Sequence, residues 1–333
     1  MIKVGVIRGG ISSEYEVSLK TGSNVLSHLR GEKLNSIYKP IDILIDKDGV
    51  WHINGKPVSI ADVFHSVDVI FNALHGDFGE DGKVQQMLDQ WKIPYTGSGA
   101  FASALGYNKV LSKEQFSLLG IKTPKYLMIP KYEEGVDKSL DVYSRNISKQ
   151  IHDKLSPPWI LKPLSSGSSV GMKMCKTFGD IEGVFLEGIN MNTDILVEEL
   201  IEGKEGTVGV VNNFRGKKVY ILPPVEIRIP KSKSFFDYEA KYTGISEEIC
   251  PGNFSRSEKD ELERLAGLIH TGLNLNHYSR SDFIIDPKKG IYALEVNTLP
   301  GLTDESLVPK MLNSVGSDVP TFIDHIIKLA LKR

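Results

Sequence analysis

Residues 281–297, "SDFIIDPKKGIYALEVN", carry polar groups whose spacing could do chemistry. Pro287 to Gly290 reads as the turn of a β-hairpin. If Asp286 pairs with Ile291, Asp282 falls opposite Glu295 and Arg280 opposite Asn297. Strand side chains alternate between faces. Arg280, Asp282, Glu295 and Asn297 would then project from one face, with Phe283, Ile285, Leu294 and Val296 forming a core on the other. Directly opposed residues have Cβ atoms about 4.5–5.5 Å apart, so two carboxylates there repel unless positive charge lies between them. An oxygen-only set of Asp, Glu and Asn suits Mg²⁺, which takes one or two carboxylates plus substrate phosphates. The alternative is a cluster neutralised by Arg280 on a solvent-facing hairpin.

A second constellation is "WILKPLSSGSSVGM". A strand delivers Lys162, and a Gly/Ser stretch from Ser165 to Ser169 leads into another strand. Small residues let backbone N–H groups cradle phosphate oxygens, and Lys162 adds a charge. It is no P-loop, because G-K-[ST] is missing and a strand follows instead of a helix. Alone the stretch reads as a plain turn; beside a Mg²⁺ site, a nucleoside triphosphate is the economical ligand. In "ILVEELIEGKEGTV", Glu198 and Glu199 end an apolar strand and Glu205 follows a turn. They are either solvated strand ends or, in a nucleotide site, acceptors for an exocyclic amine and ribose hydroxyls.

The elements that must position these groups fall into two styles. Over the first hundred residues strands and helices alternate: "KVGVI", a helix from about Glu14 to Arg30, "VDVIFNALHG", "GKVQQMLDQW" as helix, "IPYTG", and one helix through "SGAFASALGYNKVLSKEQFSLLG". That order implies a parallel sheet, with ligands at the carboxyl ends of its strands. "GGISSE" and "HGDFGEDG" lie at such ends. From about residue 122 the pattern becomes α+β with antiparallel hairpins, plus a clear helix at "SEKDELERLAGLIHTGL". The stretch "RIPKSKSFFDYEAKYTGISEEICPG" has no period and reads as an active-site loop.

Composition excludes several classes. The 333 residues are 41% hydrophobic and 25% charged, with net charge −2, which gives no long-range reason to expect nucleic acid or anionic lipid as partner. No apolar run approaches the ~18–20 residues of a bilayer span, and the start lacks a signal-peptide pattern. Cys175 and Cys250 have no metal-ligand spacing and suit reduced thiols, so the expected compartment is the cytoplasm. A dinucleotide-dependent oxidoreductase is disfavoured because "GVIRGGISSE" lacks G-x-G-x-x-G.

With these residues in view, the chain resembles the D-alanine–D-alanine ligases of the ATP-grasp superfamily. The likeness runs nearly the whole length and in order: "GGISSEYEVSLKTG", "NALHGDFGEDGKVQ", "PYTGSGAFASALGYNK", "KPLSSGSSVGM", "FFDYEAKYT", "SRSDF" and "LEVNTLPGLTDESLVP". It implies an ATP-grasp fold of three parts. These are an N-terminal Rossmann-like parallel-sheet domain at 1–105, a small central α+β part at 106–195, and a C-terminal antiparallel-sheet domain at 196–333 with a lid near 230–250. It implies ATP and two Mg²⁺ ions, Mn²⁺ substituting, and a homodimer.

The resemblance also implies roles. Lys109 and Lys162 contact ATP phosphates under a loop containing Ser166, Ser168 and Ser169. Glu198, the backbone of Leu200 and Ile201, and Glu205 hold adenine and ribose. Asp282, Glu295 and Asn297 ligate the metal. Glu14 receives the first D-alanine's ammonium in a contact set with Ser168 and Tyr242. Arg280 and the Gly301 N–H polarise the reacting carboxyl. Ser306 and Leu307 bind the second D-alanine's carboxylate, Lys241 and Tyr242 close the lid, and His75 and Glu80 line the substrate side. The implied reaction makes an acyl phosphate from D-alanine and ATP, which a second D-alanine's amine attacks to give D-alanyl-D-alanine for peptidoglycan. A D-alanine–D-lactate ligase and a non-catalytic nucleotide-binding relative are the alternatives.

Plainer readings stand beside some of these roles. Ser13 and Glu16 have capping-box spacing, Glu14 in a first helical turn suits the helix dipole, and His75 could be a satisfied structural histidine. Two departures from the family pattern are Arg8 before the glycine pair and "TDES" before "LVP", the second bordering Ser306.

Overall fold

A computed structural model of the chain describes residues 1–135, 139–164, 171–186, 193–228 and 247–332. The N-terminal sheet has the order β4-β3-β2-β1-β5. Here β1 is Ile2–Gly9, β2 Tyr38–Ile45, β3 Trp51–Ile53, β4 Lys56–Pro57 and β5 Val69–Asn72. β1 pairs in parallel with β2 and β5. β3 and β4 add an antiparallel edge that the strand–helix alternation did not foresee. "IPYTG" forms no strand; Tyr95 makes a single parallel bridge to Ile70.

Both faces of this sheet are covered, as a parallel sheet requires. Val4, Val6, Val69 and Phe71 pack into one core, while Ile7 and Ile70 point into another with Trp51 and Phe64. The first core is shared with the far end of the chain. Helix α1 (Tyr15–Arg30) lies beside Phe322, Ile323, Ile326 and Ile327 of the last helix, α10 (Val319–Ala330).

Next come α2 (Ile60–His65), α3 (Lys83–Gln90), α4 (Ala100–Tyr107) and α5 (Lys109–Leu118). The single helix expected across 98–120 is thus broken at Asn108. Asn108 leaves helical dihedrals, and its side-chain oxygen accepts the N–H groups of Val110 and Leu111 at 3.0 Å. An Asn that caps satisfies two of the four orphan donors at a helix start. The break matters because it makes Lys109 the first residue of a new helix.

A four-stranded antiparallel sheet follows in the order β6-β9-β7-β8. Its strands are β6 Tyr126–Ile129, β7 Trp159–Pro163, β8 Lys173–Cys175 and β9 Ile195–Glu199. Helices α6 (Leu140–Lys154) and α7 (Phe178–Leu186) cover it, and Trp159, Leu161, Ile151 and Phe185 fill its core. β9 is integral to this sheet and straddles the expected boundary at 195.

The third sheet runs β13-β12-β10-β14-β15, with β11 also on β10. These are β10 Lys204–Phe214, β11 Lys217–Ile221, β12 Val225–Arg228, β13 Glu247–Ile249, β14 Tyr278–Asp286 and β15 Gly290–Asn297. Helix α8 (Arg256–Gly272) starts at a complete capping box between Ser255 and Glu258. Its Leu262, Leu265, Ala266 and Ile269 pack on Val208, Val210, Phe283, Ile285, Ala293 and Val296 of the sheet. Helix α9 (Leu307–Ser314) precedes α10. The sequence reading missed both terminal helices. The stretch given to a lid near 230–250 ends in strand β13, while residues 229–246 lie outside the described residues.

Candidate active site

The hairpin register is the foundation of the site. Asp282 pairs with Glu295 and Arg280 with Asn297, as expected. The starting pair differs: Asp286 opposes Gly290, and Ile285 opposes Ile291. A bulge between Asp282 and Phe283 reconciles the two, because Phe283 opposes Ala293 and Leu294 is the extra residue. Leu294 therefore leaves the core role expected for it, and Ala293 takes that place. A bulge of this kind switches the alternation of one strand against its partner. It explains how "IYALEVN" turns core residues inward at its start and still presents Glu295 and Asn297 to the other face.

That face continues across β10. Thr207 lies opposite Asp282 and donates its hydroxyl to the Asp282 carboxylate, and Glu205 sits two residues away on the same side. Arg280 holds Asp282 through two parallel contacts, Nε to Oδ1 and Nη2 to Oδ2, both 2.9 Å. Such a fork fixes the guanidinium plane. Arg280 does neutralise Asp282, but Asp282 is buried, so the solvent-facing cluster of the alternative reading is not what forms. Asn297 accepts the Leu299 N–H at 2.8 Å, which sets the amide's orientation before the Pro-Gly turn.

Lysines converge on this face from the neighbouring elements. Lys109 feels Glu295, Lys162, Glu198 and Glu14, and burial pushes its ammonium below the ordinary range. Lys162 sits in the middle sheet, ion-paired to Glu198 at 2.6 Å, with Glu295 and Glu205 also acting on it. Glu198 has a second partner, Lys113 Nζ, also at 2.6 Å. Burial alone would raise its pKa, but the two lysines hold it down to about 2. Each carboxylate oxygen of Glu198 thus meets one cation, Oε1 Lys113 and Oε2 Lys162. Leu200 and Ile201 follow β9 directly, and Leu200 donates its N–H to Pro158 O at 2.9 Å.

The side expected to take substrate is built by the N-terminal sheet. Glu14 is the N-cap position of α1, and neither Ser13 nor Glu14 caps it with a side chain, so the capping-box reading fails. Glu14 instead approaches the His75 loop: a Cβ at Gly76, whose φ is +70°, would stand 2.8 Å from Glu14 Oε2 and 2.3 Å from Ser12 Oγ. His75 Nε2 hydrogen-bonds Thr21 Oγ1 at 3.0 Å, and its Nδ1 lies 3.8 Å from Glu80 Oε1. Burial, reinforced by Glu14 and opposed by His75, raises the Glu80 pKa. Its Oε1 has no hydrogen-bond partner among the described residues.

On the C-terminal side, Ser306 Oγ would stand 2.9 Å from a Cβ on Gly301, so only glycine leaves room there. The Ser306 hydroxyl is pinned by Thr303 at 2.8 Å. Ser306 is the N-cap of α9 and Leu307 its first residue; the Ser306 N–H donates to Thr303 O at 2.9 Å, and Leu307 begins the helix end, a place where backbone N–H groups favour anions. Thr21 Oγ1 is 3.9 Å from the same Cβ position, which links His75 to this loop. Ser166, Ser168, Ser169, Lys241 and Tyr242 lie outside the described residues.

Two residues escaped the sequence reading. Lys113 is buried and four residues from Lys109 on one helix, a spacing that puts both on one face. Thr21 is two turns from Glu14 on the buried stripe of α1. The unusual Arg8 explains itself as a strand tie, forking onto Asp42 at 2.7 Å and reaching Ser23 at 3.1 Å. "TDES" is tied to α1 through Asn24 Nδ2, which donates to Asp304 at 3.3 Å.

Comparison with known proteins agrees with this geometry. The family model described as "D-ala D-ala ligase C-terminus" matches residues 116–328, and that described as "D-ala D-ala ligase N-terminus" matches 3–62 and 53–98. The D-alanine–D-alanine ligase of Desulforamulus reducens is 35% identical, over 100% of this chain and 99% of that one. Among solved structures, D-alanyl-alanine synthetase A of Vibrio cholerae superposes with a TM-score of 0.84 at 27% identity, covering 100% of this chain and 99% of that one. The VanG D-Ala:D-Ser ligase of Enterococcus faecalis gives 0.82 at 27% identity, covering 99% of each. Full-length identity of this order, with both ligase models matched in sequence order, means that the chain belongs to the D-alanine–D-alanine ligase family.

Proposed function

We propose that this enzyme joins two D-alanine molecules at the expense of ATP, with the residues above in the following roles. The observation that carries the reading is the shared face of Arg280, Asp282, Glu295 and Asn297, with Lys109 and Lys162 close enough to feel Glu295. Phosphoryl transfer is mostly positioning and charge neutralisation, and this face supplies both. Lys109 and Lys162 hold the ATP phosphates, and Glu205 reaches the ribose. Asp282, Glu295 and Asn297 are hard oxygen donors on adjacent strands, which fit Mg²⁺. Two such ions, or Mn²⁺ in their place, neutralise phosphate charge when bound.

The first D-alanine sits between the α1 start and the His75 loop. Glu14 takes its ammonium, with Glu80 and His75 closing the wall. Its carboxylate attacks the γ-phosphorus, forming a D-alanyl phosphate and releasing ADP. Arg280, its plane fixed by Asp282, and the Gly301 N–H stabilise the oxyanion as the second D-alanine's amine attacks the acyl carbon and phosphate leaves. The helix end at Ser306 and Leu307 holds the second carboxylate. Ser166, Ser168, Ser169, Lys241 and Tyr242 are assigned the loop and lid contacts implied by the resemblance. We place the central part of the molecule at 106–199, so that β9 stays with its sheet, and expect a cytoplasmic homodimer. Among the described residues no helix is long and apolar enough to cross a membrane.

The test offers D-alanine, D-serine and D-lactate in turn with ATP and identifies products by mass. D-alanyl-D-alanine as the chief product supports the reading, and a depsipeptide made preferentially from D-lactate refutes it. Glu295→Ala should abolish ADP release while leaving the melting transition in place.

A further inference from the structure

Lys113 has no role in the scheme above, yet few lysines are so deeply enclosed. Its side chain is 1% exposed. Its Nζ is 2.6 Å from Glu198 Oε1, donates to Thr123 Oγ1 at 2.8 Å, and lies 5.9 Å from the centre of the Tyr126 ring. Glu198 Oε2 is 2.6 Å from Lys162 Nζ, and the Lys162 side chain keeps 17% of its surface open. The result is a row of two cations about one carboxylate, with one cation sealed and the other facing the site.

We propose that Lys113 is a positioning residue, the resident counter-ion of Glu198 that releases Lys162 to the phosphates of ATP. The inference rests on the reading of Lys162 as a phosphate contact. Removing one partner of a buried ion pair is costly because it strands the other charge. Were Lys162 the sole partner of Glu198, every movement of its ammonium toward a phosphate would leave a buried carboxylate uncompensated. With Lys113 on the other oxygen, Glu198 keeps a cation throughout. The surplus positive charge then belongs to the lysine that can reach the ligand. The arrangement also accounts for the i, i+4 placement of Lys109 and Lys113. One helix supplies a lysine to the nucleotide and, one turn later, a lysine to the residue behind the nucleotide.

The experiment measures dissociation constants for AMP-PNP with Mg²⁺ and for adenosine, which carries no phosphate, on the full-length protein. The variants are Lys113→Met, Lys162→Met and the double variant Lys113→Met/Glu198→Gln, each checked for a wild-type melting profile. In Lys113→Met, AMP-PNP affinity should fall about tenfold or more, the scale of one lost contact to a charged group, while adenosine affinity holds. The double variant should recover the AMP-PNP to adenosine ratio, because no carboxylate remains to hold Lys162. A purely structural lysine would weaken both ligands together and would gain nothing from the second change. If Lys162→Met lowers the ratio and Lys113→Met does not, the counter-ion role is wrong and the phosphate reading stands. If Lys162→Met leaves the ratio intact, the phosphate reading fails and the inference with it. Should Lys113→Met not fold, Lys113→Gln carries the same expectations.

Discussion

Arg280 shows how much one side chain depends on its neighbour. Its fork onto Asp282 at 2.9 Å fixes the guanidinium plane that we propose faces the reacting carboxyl, and Thr207 steadies the same carboxylate. A lysine can supply the charge without the planar fork. Arg280→Lys should therefore lower kcat by about 10²–10³-fold, the cost of one preorganised oxyanion donor, with a far smaller change in KM for ATP. Steady-state kinetics at saturating ATP check this. Thr21 is the corresponding residue on the substrate side. It occupies one nitrogen of His75, so Thr21→Val leaves a buried ring nitrogen unpaired, a cost of roughly 1–3 kcal/mol. The expected readout is a raised KM for D-alanine with nucleotide affinity unchanged, measured by titrating each substrate separately.

At the scale of elements, the Asn108 break is a small device with a functional consequence. It ends α4, starts α5 and so sets where Lys109 and Lys113 point. Asn108→Ala removes an acceptor shared by two backbone donors and should cost about 1 kcal/mol. Because the frayed turn begins with Lys109, the melting temperature should fall and KM for ATP should rise together. Calorimetry and kinetics on one preparation test the pairing, and a stability loss with KM unmoved would separate the cap from the site. The β15 bulge works in the same way. One extra residue, Leu294, lets a strand serve the α8 core at Ala293 and the site face at Glu295 and Asn297.

Over the whole molecule, the N-terminal sheet and the C-terminal helices share one core, so the proposed substrate wall and the proposed metal face are held in a common frame. His270, a buried residue of α8, is the titratable group through which pH should act on the C-terminal sheet. It is buried between α8, β10 and β14, hydrogen-bonded to Ser279 Oγ at 2.7 Å and Asn212 Oδ1 at 2.6 Å. Burial lowers its pKa from 6.5 to about 4. A depressed histidine pKa means that the unfolded chain binds the proton more readily. Its contribution is therefore complete above pH 6.5 and is lost as pH falls toward 4, amounting to roughly 3 kcal/mol at the acid end. His270→Gln should flatten the decline of melting temperature between pH 6.5 and pH 4, even if it melts lower at pH 8. An unchanged slope would show that other groups carry the acid sensitivity.

Chemical type and local order were legible in the chain itself. Alternation around Asp282 and Glu295 exposed the polar face, the Gly/Pro turn fixed the hairpin, and seven ordered motifs pointed to the family. Those signals are local, because a two-residue period and a turn are written within a dozen positions. What escaped the sequence was long-range. The Asp286–Gly290 register needed the bulge, whose position answers to core packing against α8. The commitment of Glu198 to Lys113 and Lys162 joins residues that are far apart in sequence, so no spacing announces it. Tertiary structure alone decided which charges are buried together, and burial is what turns a surface-like glutamate into the fixed centre of a lysine pair.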